Sequence, residues 1–379
     1  MSGDSRLEQM HTIDGRGARA SSIVDRPSSI PRLLSIGERH IGPGHPCFVI
    51  AEAGVNHNGD LELAKRLVDA AVDAGADAVK FQTFRAELMV SAVAPKAAYQ
   101  ARRTGVGESQ LDMLRRLELS PAAHRALWSY CTTRGIAFLS TPFEEASADL
   151  LDELGVALFK ISSGEITNLA LLQHVARKGK PMIVSTGMAT LEEVRAAMTA
   201  IRAAGDPPVV LLHCVSNYPA DPRDANLRAM RTMADAFGVA VGYSDHTPGD
   251  EVAIAAVVLG ACIVEKHVTL DRSLPGPDHA ASMEPRAFAE LVRKIRVVEG
   301  ALGDGRKQPA ASEREIAAVA RKSLVAAVDI HEGELVTREV VAIRRPGTGL
   351  APSRISGVVG RRARCRIAAG TLLTEEMLG

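Results

Sequence analysis

Cys47-Phe-Val-Ile-Ala-Glu-Ala-Gly54 is a short apolar run that stops at a carboxylate and a glycine, and the same design returns seven more times before residue 269. Its successors are Asp77-Ala-Val-Lys-Phe-Gln-Thr83, Ile136-Ala-Phe-Leu-Ser-Thr-Pro142, Leu158-Phe-Lys-Ile-Ser-Ser-Gly-Glu165, Met182-Ile-Val-Ser-Thr-Gly-Met188, Val209-Val-Leu-Leu-His-Cys-Val-Ser216, Val239-Ala-Val-Gly-Tyr-Ser-Asp-His246 and Cys262-Ile-Val-Glu-Lys-His-Val268. Between them lie segments with apolar residues at helical spacing, such as Leu63, Leu67, Ala70, Ala71 and Ala74. Continuous apolar runs alternating with helical patterns indicate parallel strands covered by helices. Eight such units predict a closed (β/α)8 TIM barrel, whose site lies at the C-terminal ends of its strands. Polar and ionisable residues collect there: Glu52, Lys80, Gln82, Thr141, Lys160, Ser163, Glu165, Ser185, His213, Asp245, His246, Glu265 and His267.

The chain, at 379 residues, is longer than a bare barrel. Residues 1–35 alternate charges with Ser and Gly and read as a disordered tail without an apolar secretory segment. The barrel is expected over 36–305, closing with a helix from Pro285 to Leu302. Gly303-Asp-Gly-Arg-Lys-Gln-Pro309 breaks the pattern, so 306–322 reads as a linker, with a helical stretch from Ser312 to Arg321. From 323 to 379 short β-type runs alternate with Gly and Pro. Within them Ile330-His-Glu-Gly-Glu-Leu-Val-Thr337 and Ile367-Ala-Ala-Gly-Thr-Leu-Leu-Thr374 nearly repeat, which predicts a small pseudo-symmetric β-rich module with a marginal core. Arg344-Arg345-Pro346-Gly347-Thr348-Gly349 between the repeats reads as a rigid turn bearing two guanidiniums.

Lys+Arg and Asp+Glu balance at 45 each, which leaves no electrostatic footprint for nucleic acid or an anionic membrane. One Trp, four Tyr and eight Phe supply little stacking surface for bases. The longest apolar stretch, Val252 to Val264, is too short to span a bilayer. Five scattered cysteines, Cys47, Cys131, Cys214, Cys262 and Cys365, fit a reduced, cytoplasmic protein better than a disulfide scaffold. After the second run, Phe84 to Gln110 is long and irregular, with Pro95, Lys96, Tyr99, Arg102, Arg103 and Gly105. Such βα excursions cover barrel sites; a plain surface loop is the alternative.

His246 and His267 end adjacent strands, each near a carboxylate, and two imidazoles at one barrel mouth can hold a divalent cation in an open coordination shell. Such a cation activates a carbonyl; a hydrogen-bonded structural role is the competing reading for either ring. Lys80 and Lys160 stand among Thr141, Ser162, Ser163, Ser185 and Thr186, a set suited to phosphate and carboxylate. One of these lysines as a Schiff-base nucleophile is a rival. Glu52, Glu165 and Asp245 can move protons, orient a hydroxyl, or simply pair with the lysines.

At these residues the chain resembles the sialic acid synthase family, the bacterial N-acetylneuraminate and legionaminate synthases. The matching stretches are Glu52-Ala-Gly-Val-Asn-His-Asn-Gly59, Val79-Lys-Phe-Gln-Thr83, Leu139-Ser-Thr-Pro-Phe143, Lys160-Ile-Ser-Ser-Gly-Glu165, Ser185-Thr-Gly-Met188, Tyr243-Ser-Asp-His-Thr247, Glu265-Lys-His267 and Pro275-Gly-Pro-Asp278, and the C-terminal module is similar to the family's antifreeze-like (SAF) domain. The resemblance implies condensation of phosphoenolpyruvate with an N-acylated aminosugar aldehyde, giving a nine-carbon 2-keto acid and phosphate. It implies that His246 and His267 hold Mn2+ or another divalent cation such as Mg2+ or Co2+. Lys80, Thr141, Lys160, Ser163 and Ser185 would grip phosphoenolpyruvate, and Gln82, Glu165, Tyr218 and Asp278 would face the sugar. Glu52 matches the carboxylate associated with the reacting water. Where some members carry Asn after the sixth strand, this chain has Ser216 followed by Asn217, and either can be the phosphate contact. A homodimer with domain-swapped SAF domains is also implied, with Arg345 reaching the partner's sugar. The expected activity is N-acetylneuraminate synthesis from N-acetylmannosamine. The alternative is N,N'-diacetyllegionaminate synthesis from a 2,4-diacetamido-2,4,6-trideoxymannose. A non-enzymatic carbohydrate- or ice-binding protein is the distant third reading.

Overall fold

The computed structural model describes residues 31–104 and 107–379; residues 1–30 of the tail expected over 1–35, Gly105, Val106 and the side chain of Arg102 lie outside the described residues. Strands β1 Phe48–Gly54, β2 Ala78–Thr83, β3 Ala137–Pro142, β4 Phe159–Ile161, β5 Met182–Ser185, β6 Val209–Cys214, β7 Ala240–Asp245 and β8 Ile263–His267 form one eight-stranded sheet. Its order is 3-2-1-8-7-6-5-4, with parallel ladders throughout. β3 and β4, at the two ends of that order, lie side by side, so the sheet curls into the expected TIM barrel. Each strand is followed by a helix, from Leu61–Asp73 after β1 to Pro285–Leu302 after β8.

The first of these helices shows how the chain selects its faces. Asp60 accepts hydrogen bonds from the backbone of Glu62 and Leu63, satisfying amides that the first turn leaves unpaired. Ala64, Leu67, Val68 and Ala71 then form the buried stripe, at i, i+3, i+4 and i+7. Outward-pointing strand residues such as Val49, Val79 and Phe81 pack against such stripes in the larger core. Inward-pointing residues Phe48, Ile50, Ala78, Leu139, Leu158, Ile183, Val210, Leu212, Ala240 and Ile263 fill the barrel itself. Leu34 and Ile41, from an antiparallel hairpin of Leu34–Ile36 and Arg39–Ile41, join that inner cluster. This corrects the expectation of a disordered tail through residue 35: Leu34 is fully buried because it seals the barrel's apolar interior.

The excursion after β2 is more ordered than the irregular loop expected. It holds the helices Ala86–Met89, Ala98–Thr104 and Gln110–Leu117 before the covering helix Pro121–Arg134 begins. Met113, Leu114 and Leu117 pack there with Val55, Phe84 and Ala86 as a separate apolar cluster.

The chain divides after Leu302, and Gly303–Gly379 is a second compact unit. The helical stretch expected within the linker is the helix Glu313–Ala320. The two near-repeats meet about a pseudo-twofold: Ile330 and Ile367 exchange reciprocal backbone hydrogen bonds of 2.8 and 2.9 Å, and both are buried. Gly333 and Gly370 take the left-handed turn at matching positions, with φ of 78° and 84°. Among the described residues no helix is long and apolar enough to cross a membrane.

The barrel interior leaves no room at Gly242 of β7, where an added Cβ would stand 2.6 Å from the Ile263 carbonyl oxygen and 2.6 Å from Leu212 Cδ2. Gly242→Ala is expected to destabilise the barrel by about 1–3 kcal/mol through overpacking, seen as a lowered thermal midpoint. Gly300→Ala, with nothing within 4 Å of its added Cβ, serves as the control. Equal midpoints for the two variants would contradict this packing.

Candidate active site

Alternation along each strand decides which polar groups enter the barrel, because side chains at i and i+2 share a face. Every strand continues its inward apolar row into a polar one. Ile50 is followed by Glu52, Ala78 by Lys80 and Gln82, and Leu139 by Thr141. Leu158 is followed by Lys160 and Ser162, Ile183 by Ser185, and Leu212 by Cys214 and Ser216. Ala240 leads to Ser244 and His246, and Ile263 to Glu265 and His267. These residues line a cavity of about 310 Å3 at the C-terminal strand ends, within the range of small-ligand sites.

The same alternation removes three of the polar residues singled out from the sequence. Asp245 points outward, pairs with Lys266 at 2.6 Å and accepts from the backbone and hydroxyl of Thr247. His213 bonds the carbonyl of Ala225 through Nε2 at 2.8 Å. Thr186 donates to the carbonyl of Leu212. Each does structural work behind the barrel wall.

At the cavity floor four charged side chains, all nearly inaccessible, form one web. Lys80 Nζ lies 2.6 Å from Glu52 Oε2, 3.1 Å from Thr141 Oγ1 and 3.7 Å from Glu265 Oε2. Lys160 Nζ donates to Glu265 Oε1 at 3.2 Å, and Ser244 donates to the same oxygen at 2.9 Å. The two carboxyls titrate very differently. Burial pushes Glu52 up to about 7, although Lys80 opposes the rise. Burial also works against Glu265, but Lys160 and Lys80 outweigh it and hold that carboxyl at about 2. Burial lowers Lys160, whereas for Lys80 the attraction of Glu265 and Glu52 exceeds the desolvation and raises it. Two carboxyls pushed apart in this way mark a permanent anion and a group able to exchange a proton near neutrality. With Glu52 partly protonated, the web carries between zero and one net positive charge.

Beside Lys160 is a hollow lined by hydroxyls. Ser162 Oγ and Ser185 Oγ are buried with no hydrogen-bond partner among the described residues. Ser163 Oγ accepts from the backbone of Gly187 at 3.0 Å and meets Cys214 Sγ at 3.0 Å. A Cβ at Gly187 would come within 3 Å of Ser216 Oγ, Cys214 Sγ and Ser163 Oγ, so any other residue there would fill the hollow. Ser216 lines the cavity; Asn217 does not, and its amide oxygen accepts from the backbone of Tyr218. Unpartnered hydroxyls beside an ammonium suit an oxyanion such as a phosphoryl group.

His246 and His267 face each other across 5.4 Å between ring centroids. The Nδ1–H of His246 donates to the Val215 carbonyl at 2.7 Å, which leaves its Nε2 lone pair for a ligand. Burial lowers His246, and burial with the neighbouring His246 drives His267 well below its ordinary range, so both rings are neutral. His267 Nδ1 is buried without a partner among the described residues. Two neutral imidazoles, one oriented from behind and one with an orphaned nitrogen, fit a divalent cation that shares its shell with a ligand. Among the described residues no three His, Cys, Asp or Glu side chains are placed to hold a metal by themselves.

Tyr218 packs beside this pair, its ring centroid 4.2 Å from that of His246 and 5.4 Å from that of His267, and the Tyr99 ring follows at 5.2 Å from Tyr218. Asp278 lines the same side, its carboxyl pushed up to about 6 by burial. Glu165 does not line the cavity: it sits half-buried beside lining residue Gly164 and accepts from Asn168 at 2.8 Å. Arg345 belongs to the second unit, where its Nε donates to the Ala320 carbonyl at 3.0 Å. Three contributors received no role from the sequence: Glu265, Ser244 and Tyr99. The i, i+2 relation of Glu265 to His267 was the available signal for the first; Tyr99 reaches the cavity through the fold of the excursion, which no local pattern encodes.

The NeuB family model matches residues 67–307, and the SAF domain model matches 321–379. The N,N'-diacetyllegionaminic acid synthase of Legionella pneumophila is 50% identical over 339 residues, which cover 88% of this chain and 95% of that protein. The enzyme of the same name from Campylobacter jejuni is 47% identical, covering 86% of this chain and 99% of that protein. The solved N-acetylneuraminic acid synthetase of Leptospira borgpetersenii, in complex with citrate, superposes with a TM-score of 0.67 at 37% identity, covering 76% of this chain and 95% of that one. The chain thus belongs to the NeuB family, as an enzyme of nonulosonic acid synthesis whose barrel is followed by a SAF domain.

Proposed function

We propose that the protein condenses phosphoenolpyruvate with the open-chain aldehyde of 2,4-diacetamido-2,4,6-trideoxymannose, releasing N,N'-diacetyllegionaminic acid and inorganic phosphate. The observation that carries the chemistry is the adjacency of three parts in one cavity: the lysine–carboxylate web, the hydroxyl hollow and the neutral histidine pair. The choice of sugar rests on the relatives at 50% and 47% identity, both named for that product. N-acetylmannosamine, the sugar expected from the sequence, gives way to it on that ground.

In this reading the phosphoryl group occupies the hollow of Ser163, Ser185 and Ser216 with Lys160, and the carboxylate lies toward Lys80 and Thr141. His246 and His267 would hold Mn2+ or another divalent cation such as Mg2+ or Co2+, which supplies Lewis-acid polarisation of a carbonyl. C3 of phosphoenolpyruvate forms the new bond to the aldehyde carbon as the C=O electron pair moves to oxygen, which takes a proton from solvent to become a hydroxyl, and C2 becomes electron-poor. Water adds at C2 and loses its proton to Glu52, whose raised range suits general-base work near neutrality. The adduct then expels phosphate by C–O cleavage. Gln82, Tyr218 and Asp278 orient the sugar, with Glu165 at the rim. A cytoplasmic homodimer in which Arg345 of a second copy completes the sugar site is part of the same proposal. A Schiff base on Lys160 has its lowered range in its favour, but its nitrogen is engaged by Glu265 at 3.2 Å, which withholds it from attack on a carbonyl.

Product formation should be compared for N-acetylmannosamine and the diacetamido sugar, each with phosphoenolpyruvate, in Mn2+ buffer and after chelation with EDTA. Expected is preferential use of the diacetamido sugar and loss of activity on chelation. Preference for N-acetylmannosamine would overturn the sugar assignment; activity surviving EDTA with borohydride trapping at Lys160 would overturn the mechanism. Glu52→Gln is expected to lower kcat by about 10²–10⁴-fold. The wild-type rate should fall as pH drops through about 7, where Glu52 gains a proton, and the variant should lack that acid limb. An unaltered limb in the variant would remove Glu52 from the base role.

A further inference from the structure

The cavity is two-sided. Its floor and the histidine side are polar, whereas the wall built by the excursion after β2 is apolar: Met89, Met113, Leu114 and Leu117, with Val55 after β1 and Phe143 after β3. Met113, Leu114, Leu117 and Val55 are buried members of one cluster, against which Met89 and Phe143 pack, so this wall is held by its own core. The polar groups on that side are few and partly committed. Gln82 donates to Glu52 at 3.5 Å, and the Gln100 side-chain oxygen accepts from the Ala97 backbone at 3.0 Å. Gln110 remains, against six apolar side chains.

A row of rings connects the histidines to this wall. His246 is followed by Tyr218 and then by Tyr99, and Tyr99 lies on the helix Ala98–Thr104 of the same excursion. A sugar whose aldehyde carbon stands at His246 and His267 therefore runs along the rings, with its far end toward the apolar wall.

We infer that this wall is the specificity device of the enzyme: it accepts the C6 methyl of a 6-deoxy sugar and rejects a C6 hydroxyl. A methyl gains by burial against Met89, Leu117 and Phe143. A primary hydroxyl in the same place gives up its hydrogen bonds to water and, among the described residues, is offered little in return, because Gln110 and the partly committed Gln82 and Gln100 stand against six apolar side chains. An apolar pocket rejects an added hydroxyl only moderately, by about 10²-fold. The inference rests on the reading of a trideoxy sugar as substrate.

The test uses the full-length enzyme with phosphoenolpyruvate, Mn2+ and a matched pair: 2,4-diacetamido-2,4,6-trideoxymannose and its 6-hydroxy counterpart. The wild type is expected to favour the 6-deoxy sugar by about ten- to hundredfold in kcat/KM, mostly through KM. Met89→Gln and Phe143→Tyr each place a hydrogen-bonding group in the wall. Each should narrow that ratio by about three- to tenfold, the worth of one hydrogen bond. Two variants guard against misfolding of either, which thermal melting reports. Equal use of the two sugars by the wild type, or an unchanged ratio in the folded variants, would overturn the inference. Turnover of N-acetylmannosamine with neither diacetamido sugar would instead overturn the substrate reading beneath it.

Discussion

Glu265 holds two ammonium groups at once, Lys160 at 3.2 Å and Lys80 at 3.7 Å, at a cavity floor where all three side chains are nearly inaccessible. A buried lysine without a partner would lose its proton or disrupt the core. One shared carboxylate instead keeps both cations in place before any anion arrives. Burial raises Glu52, the second acid, to about 7 against the pull of Lys80, and the negative charge of Glu265 adds to the rise. The anion grip and the proton transfer proposed above would thus both rest on this one web of charges.

The barrel supplies the precision this web needs. All four charges sit on strands β1, β2, β4 and β8, in ladders whose register places His267 beside Glu52 and Glu52 beside Lys80. An apolar interior lies directly below them, closed by Leu34 and Ile41. The histidines lie on β8 and just beyond β7, where the Val215 carbonyl fixes one ring through a single hydrogen bond. Rigid strand ends, rather than loops, therefore carry the charged groups and the histidine pair, while the excursion after β2 contributes shape and apolar surface.

Much of this was legible in the sequence because the signals are local. Eight apolar runs ending in polar residues encode both the barrel and the position of its site, and the near-repeat around Ile330 and Ile367 encodes the symmetry of the C-terminal module. The choice among polar strand-end residues was not made there, although parity along each strand carries it. Asp245 and Lys266 are neighbours of His246 and His267 in sequence, yet they pair with each other on the opposite face. What the sequence could not show is non-local. Whether Ser216 or Asn217 reaches the cavity depends on how the chain turns after β6. Whether Tyr99 reaches it depends on how three short helices pack over Val55.

In the function proposed above, the compensated lysine pair is the grip for phosphoenolpyruvate. Calorimetric titration of phosphoenolpyruvate into Lys160→Met and wild type, both with Mn2+ and without sugar, tests it most directly. Lys80 remains to pair Glu265, so the variant is expected to keep its fold. The account predicts that its affinity falls by about tenfold or more, as for loss of a charge-assisted contact to an anion. An unchanged dissociation constant in a folded Lys160→Met protein would contradict it.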